Sequence, residues 1–494
     1  MKRSDVRDAP RLGRTKVSSN DLVLWLICLT GTAPFSAVFI HGGLILSRYP
    51  FIDPLVAAIW IVVWLTMASL CVASFKAKSV SILPESSRLR TRHIFVFLIF
   101  GCLLFLLGNS FVGKNILGLG DGVGFSRVLN GFWERGPFST SPFEMTLTTS
   151  DRYFVRRASG PPYPQGSHLL VRLIAEFLGR PSVSSVSNIV AGTYSAIFPP
   201  FVLALFGSVG ASNSRSSRTI VLLSLLFGSA LVFDLSSRQI PTAIGIVSAI
   251  FAATLVNQAQ RPKAKILICL VCATLLMDIH PSAAASMLFL VDYGNFPKLR
   301  RPQVLLFVPP VFLALIFLVP GVGLDLLRSF FNSQSNAAFD FQGLNQAFHR
   351  TVRFIANYLV LMGSFSVIAG ALAGLLGITA LAFAIKFRQE RAWLVIVVAF
   401  LLITSSVSGI PGPIGNLKIF SIFWYSSPSR LVHLWIVLLF WITLESPLFE
   451  RFKNMNTFRI LRNTNQRDLF SLIALLFALL LWIKTIFQLS GRIS

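Results

Sequence analysis

Leu22-Val-Leu-Trp-Leu-Ile-Cys-Leu-Thr-Gly-Thr-Ala-Pro-Phe-Ser-Ala-Val-Phe-Ile-His-Gly-Gly-Leu-Ile-Leu46 is a run of 25 residues without one Lys, Arg, Asp or Glu. As a helix it is about 37 Å long, more than the roughly 30 Å of a bilayer's hydrocarbon core. Leu55–Phe75 and Ile94–Phe111 repeat the pattern, again without a charged residue. In lipid such segments are helices, because every backbone N–H must find its partner inside the segment. The apolar residues come in blocks and not at amphipathic spacing. The whole chain agrees: of 494 residues 54% are hydrophobic and 13% charged, with a mean hydropathy of +0.71. The expected fold class is an all-α integral membrane protein of about 13 transmembrane helices.

The net charge of +25 invites a nucleic-acid partner, but the distribution of the charge argues against one. Basic residues cluster in short loops between apolar runs, as the positive-inside rule describes. Assigning 1–21, 76–93, 207–217, 258–265, 294–303, 386–391 and 447–468 to the inside collects 26 of the 44 Lys and Arg. The organisation that follows is a cytoplasmic basic tail over 1–21, a polytopic membrane domain over 22–488 and a short outward tail over 489–494. The expected location is the plasma membrane, with the N-terminus cytoplasmic and the C-terminus outside. The first apolar run is too long for a cleavable signal and reads as an anchor. Residues 265–293 leave room only for two short crossings, and 353–385 is long enough to tilt or break.

All five cysteines, Cys28, Cys71, Cys102, Cys269 and Cys272, fall inside apolar blocks. Cys269 and Cys272 form a CxxC without a second pair, so they read as small buried residues and not as zinc ligands or a redox couple.

The opposite side carries the large loops: 113–185, 321–352 and 410–429. Gly166–Gly179 in the first is amphipathic, with Arg172 and Glu176 one turn apart, and predicts a helix along the membrane interface. Acids are scarce, 19 in all, and none is clearly at mid-depth. Asp53, Asp121, Glu134, Glu144, Asp151, Asp234, Asp278, Asp325 and Asp340 lie at or near the outer boundary. An ion-coupled transporter more often keeps an ionisable group near the bilayer centre. Polar chemistry gathered at one face suits an enzyme whose substrate is borne by lipid, and equally a loop-rich structural surface.

Four stretches carry the candidate site. Gly118-Leu-Gly-Asp-Gly-Val-Gly-Phe holds Asp121 between glycines that permit close backbone approach. Asp121 reads either as the cap of the helical stretch that follows or as a general base for an acceptor hydroxyl. Tyr163-Pro-Gln-Gly-Ser-His168 leads into the amphipathic helix; His168 is a proton carrier or hydroxyl ligand, or a packed helix-start histidine. Asp278-Ile-His280-Pro281 sits at an outer span end, where the proline explains a turn and Asp278 and His280 offer a polar pair. Two such groups are too few to assert a metal. Trp424-Tyr-Ser-Ser-Pro-Ser-Arg430-Leu-Val-His433 brings Arg430 into a span from outside. That arginine either snorkels or holds an anion such as a lipid phosphate in bidentate fashion. Arg238, in Ser236-Ser-Arg238-Gln-Ile-Pro, lies at another outer turn and is a candidate to join the same anion site.

Together these residues resemble the GT-C class of polytopic glycosyltransferases, and large actinobacterial membrane proteins thought to share that architecture. The shared pattern is an Asp in the first large outward loop followed by a helix ending in Gly (Asp121 to Gly131 or Gly136). A Tyr-Pro-x-Gly-x-His segment (Tyr163 to His168) and an aromatic–Pro–x–Arg entry to a late span (Trp424 to Arg430) complete it. The resemblance implies transfer of a sugar from a polyprenyl-phosphate carrier to a glycan or lipid acceptor on the outer side. Asp121 would then be the base and Arg430 a carrier-phosphate ligand. The chain departs from the class in two ways: no second acid follows Asp121, and no sizeable C-terminal carbohydrate-binding domain is present. Both bear on substrate and on any use of a divalent metal. The rival readings are a transporter or flippase of lipid-linked envelope intermediates, and a scaffold or envelope-polymer polymerase.

Overall fold

The computed structural model describes residues 19–47, 52–77, 166–179, 183–208, 240–259, 261–292 and 392–406, together with ten single positions between 420 and 441. The described residues are helical apart from turns. They form α1 (Ser19–Ser47), α2 (Pro54–Ala77), α3 (Gly166–Phe177), α4 (Val183–Ser208), α5 (Ile240–Gln258), α6 (Pro262–Ile279), α7 (Pro281–Leu290) and α8 (Ala392–Ser406). Three spans among them, Asp21–Leu44, Pro54–Lys76 and Ile240–Gln258, are long and apolar enough to cross a membrane. The expected all-α membrane class holds for these residues. Arg238, Asp121 and the third expected apolar run, Ile94–Phe111, lie outside the described residues.

α1 and α2 pack antiparallel. Trp60 Nε1 donates to Ser36 Oγ at 2.8 Å and Trp64 Nε1 to the Leu29 carbonyl at 2.6 Å, while Lys76 Nζ meets Asp21 at 2.8 Å at the far end. Asp53 starts α2: its Oδ1 accepts from Val56 N at 2.9 Å, with Pro54 at the first helical position. That is an N-cap, the arrangement that satisfies an otherwise orphaned donor. Leu55, Ile59, Val62, Leu65 and Leu70 are exposed along α2, an apolar surface suited to lipid.

Pro34 lies inside α1. It has no N–H, and its ring crowds the carbonyl four residues back, which is that of Thr30. The Thr30 carbonyl accepts instead from the Tyr194 hydroxyl of α4 at 3.3 Å. With Trp64 on Leu29, two side chains serve carbonyls in the turn that the proline disturbs, as neighbouring helices must where water is excluded.

α5 runs through the middle, enclosed along almost its whole length. Phe251 on it meets Phe35 of α1 at a centroid distance of 6.3 Å and Phe201 of α4 at 5.8 Å. α6 and α7 form a hairpin with one connecting residue. His280 closes α6, its N–H donating to the Leu276 carbonyl at 2.8 Å, and it caps α7, its Nδ1 accepting from Ser282 N at 3.2 Å. Of the two short crossings expected over 265–293, α6 has 18 residues and α7 only 10. α7 is therefore about 15 Å long, half the hydrocarbon thickness. Lys265 Nζ reaches the Asp292 carbonyl at 2.7 Å just beyond it, and Asn257 Oδ1 accepts from Asp292 N at 2.7 Å.

These contacts give the bundle two ends. The lower end gathers Asp21, Lys76, Lys265 and Asp292, which include the described ends of the basic segments 1–21, 76–93 and 258–265. The upper end gathers His41, Asp53, α3 and the hairpin tip at Asp278–Pro281.

Candidate functional site

The upper end is built around the hairpin tip. His41, in the last turns of α1, places Nδ1 2.9 Å from Asp278 Oδ2 across 237 residues of chain. The two side chains are 10% and 20% exposed, so the pair sits at the rim of the packed interior. One residue on, the Ile279 carbonyl accepts from Ser167 Oγ of α3 at 2.8 Å. The next residue, His280, holds Ser282 Oγ at 2.6 Å from Nδ1 and Thr242 Oγ1 of α5 at 3.5 Å from Nε2. Because Nδ1 accepts from the Ser282 amide, a neutral His280 carries its proton on Nε2.

α3 enters this cluster through Gly166. A Cβ there would lie 2.6 Å from Val38 Cγ2 and 3.2 Å from the Asp278 carbonyl oxygen, so only glycine allows the helix start so close to α1 and the hairpin. The helix ends at Gly179, whose φ of +78° suits glycine and whose N–H donates to the Glu176 carbonyl at 3.2 Å.

The helix expected from amphipathicity over 166–179 is present, and so is its charge pair: Arg172 Nη2 stands 3.3 Å from Glu176 Oε2. The surroundings differ from expectation. Both side chains are buried, and Arg172 Nη2 also donates to the Ile52 carbonyl ahead of α2 at 3.4 Å. The polar stripe of α3 is an internal feature, enclosed by the neighbouring helices.

The residues singled out from sequence fall as follows. His168 is the third residue of α3 and buried, beside the Ser167–Ile279 bond. Asp278 pairs with His41, and His280 is a helix cap; the polar pair expected of them is replaced by two residues with separate hydrogen-bonding roles on either side of Ile279. Arg430 is half-buried at a helical turn next to the buried Leu431. Trp424 of the same motif donates from Nε1 to Ser286 Oγ of α7 at 3.2 Å, and its ring lies 6.0 Å from that of Phe289. Cys269 and Cys272 are buried free thiols. Among the described residues no three His, Cys, Asp or Glu side chains come together to hold a metal.

His41 was not among the expected site residues, yet it carried a signal: it is the one ionisable nitrogen in an uncharged apolar run, and an intramembrane ionisable group marks a functional position by default. Ser167 and Thr242 gave no such signal.

The DUF6541 model, described as a family of unknown function, matches residues 132–485, well over half of the chain. The chain belongs to the DUF6541 family. No curated protein and no solved structure matches it. The DUF6541 match takes in His168, Arg238, Asp278, His280 and Arg430, and every described helix from α3 onward. Asp121, α1 and α2 precede it. The His41–Asp278 pair thus joins a helix before the DUF6541 region to a hairpin inside it.

Proposed function

We propose that the chain is a membrane glycosyltransferase that moves a sugar from a polyprenyl-phosphate carrier to an acceptor hydroxyl on the outer face of the plasma membrane. One observation carries the reading. Two residues far apart in sequence, Ser167 of the Gly166–His168 stretch and Trp424 of the late motif, both bond to the same hairpin, at the Ile279 carbonyl and at Ser286 Oγ. They belong to two of the three pieces of the GT-C-like pattern, which thus share the α6–α7 hairpin as a support. The gathering of basic segments at the lower end supports taking the upper end as the outward one.

In this reading the acceptor oxygen attacks the anomeric carbon, the bond from that carbon to the carrier phosphate breaks, and the phosphate leaves with the electron pair. Asp121 receives the hydroxyl proton. Arg430 and Arg238 hold the phosphate as forks, His168 and Asp278 offer hydrogen bonds to sugar hydroxyls, and His280 fixes the turn that carries Asp278. The lipid-linked sugar is the donor, the partners are membrane lipid and a glycan or lipid acceptor, and nucleic acid is not among them.

The test uses the purified full chain in proteoliposomes with a set of synthetic polyprenyl-phosphate sugars and soluble hydroxyl acceptors. Transfer of sugar with release of free polyprenyl phosphate is expected. Movement of intact carrier between leaflets without loss of sugar would replace this reading with the transport one. Neither result with any donor would overturn the proposal.

A further inference from the structure

Six of the eight described helices associate as two bodies, with α4 touching both through Tyr194 and Phe201. α1, α2 and α3 form one, held by the tryptophan bonds between α1 and α2, the fit of Gly166 against Val38, and the Arg172–Ile52 bond. α5, α6 and α7 form the other, with Gly245 against Ala283 and His280, Thr242 against His280, and the Asn257–Asp292–Lys265 network fixing the lower end. Two of the levels at which the bodies meet bear on their relative motion. At mid-height Gly31 lies against the Phe251 ring, where a Cβ would be 2.5 Å from Cδ2, and Phe35 packs on the same ring. At the upper end two hydrogen bonds land on consecutive residues of the hairpin tip, His41 on Asp278 and Ser167 on Ile279.

This is the anatomy of a hinge and a clasp. Pro34 lies at the mid-height level, between Gly31 and Phe35, in the turn of α1 whose carbonyls accept from Tyr194 and Trp64. A helix bends most easily at such a point, since bending there breaks no further main-chain bond. The Phe251 contact is smooth and apolar, and it lets one body rock without unsatisfying a polar group. The clasp is polar, with His41–Asp278 at the rim and Ser167–Ile279 buried beneath it; releasing it hands these groups to water or to a ligand's hydroxyls.

We infer that the upper end of the bundle opens by bending α1 at Pro34 and rocking its upper part with α3 away from the α6–α7 hairpin, about the contact of Gly31 and Phe35 with Phe251, with His41–Asp278 and Ser167–Ile279 as the clasp that holds it closed. The opening admits a bulky amphiphile between α1 and the hairpin, and it stands whether or not the chain transfers a sugar. The arm from Pro34 to His41 is seven residues, about 10 Å of helix, so a rotation of roughly 20° moves the tip by about 3–4 Å.

Spin-label distances in lipid nanodiscs test this on the full chain with its five cysteines replaced. One label pair, Gly43 and Thr274, spans the upper end; a control pair, Leu22 and Lys263, spans the lower. Asp278→Asn with Ser167→Ala is expected to lengthen or broaden the upper distance by about 3–4 Å and to leave the lower one in place. Pro34→Ala added to those variants should return the upper distance towards the wild-type value, because the restored N–H stiffens the hinge. An unchanged upper distance in the clasp variant, or equal change at both ends, would overturn the inference. Should the double variant fail to fold, Asp278→Asn alone gives the same reading.

Discussion

Removing the charge of Glu176 should cost far more stability than removing both members of the Arg172–Glu176 pair. Both side chains are almost fully enclosed, 4% and 2% exposed, with 3.3 Å between Nη2 and Oε2. Glu176→Leu leaves a guanidinium buried with its main counter-ion gone, and breaking a buried pair in this way costs about 3–5 kcal/mol. The bond from Arg172 to the Ile52 carbonyl is kept in that variant and leaves the guanidinium one partner, which puts the cost at the lower end of that range, about 3 kcal/mol. In Arg172→Met with Glu176→Leu no charge remains buried. The loss is then the Ile52 bond and some packing, about 1–2 kcal/mol. The double variant is therefore expected to be about 1–2 kcal/mol more stable than Glu176→Leu alone, so the effects of the two substitutions are not additive. Reversible unfolding in mixed micelles, followed by tryptophan fluorescence for wild type, both single variants and the double, measures it. Single variants within 1 kcal/mol of wild type, or strictly additive effects, would refute the claim that this pair is an internal element of the bundle.

Three further outcomes follow from the same structure. Asp53→Ala removes the cap on Val56 N and should lower stability by about 1 kcal/mol, whereas Asp53→Asn should cost little; equal loss in both would point to charge and not capping. Arg430→Lys keeps the charge and loses the fork, so affinity for polyprenyl phosphate should fall, and Arg430→Gln should cost about 2–3 kcal/mol for a buried, charge-assisted contact; unchanged carrier binding in both would remove Arg430 from the site. A reporter active only in the cytoplasm should be silent when fused to the C-terminus and active on the N-terminus, and the reverse would overturn the topology drawn from loop charge.

Much of the fold was legible because lipid imposes a simple rule on sequence. The apolar runs 22–46 and 55–75 read from hydropathy became Ser19–Ser47 and Pro54–Ala77, since an uncharged run of that length has one way to satisfy its backbone. The helix over 166–177 and its Arg172–Glu176 pair followed from 3.6-residue periodicity. Periodicity, however, reports only that one stripe is polar. Whether that stripe meets water or an internal neighbour is a tertiary fact, and here Ile52 and the packed helices settled it. Asp53 read as one more boundary acid, although the Asp-Pro that opens α2 was a local capping signal. The pairing of His41 with Asp278 spans 237 residues and has no local signature; histidine in an uncharged run marked one partner and left the other open. α7 reads in sequence as a second short crossing, while its half length emerges only from where Asp292 finds Lys265 and Asn257.

The central claim is chemical, and Asp121 carries it. A carboxylate near the interface that takes the acceptor's proton acts in the transition state, so its removal lowers turnover and leaves donor binding intact. Asp121→Asn preserves size and much of any capping ability. Single-turnover sugar transfer by wild type and Asp121→Asn, measured in the same proteoliposomes alongside binding of the polyprenyl-phosphate donor, separates base from cap. The account predicts a loss of roughly 10²–10⁴-fold in rate with donor affinity unchanged in a folded variant. Transfer by Asp121→Asn at the wild-type rate would contradict it.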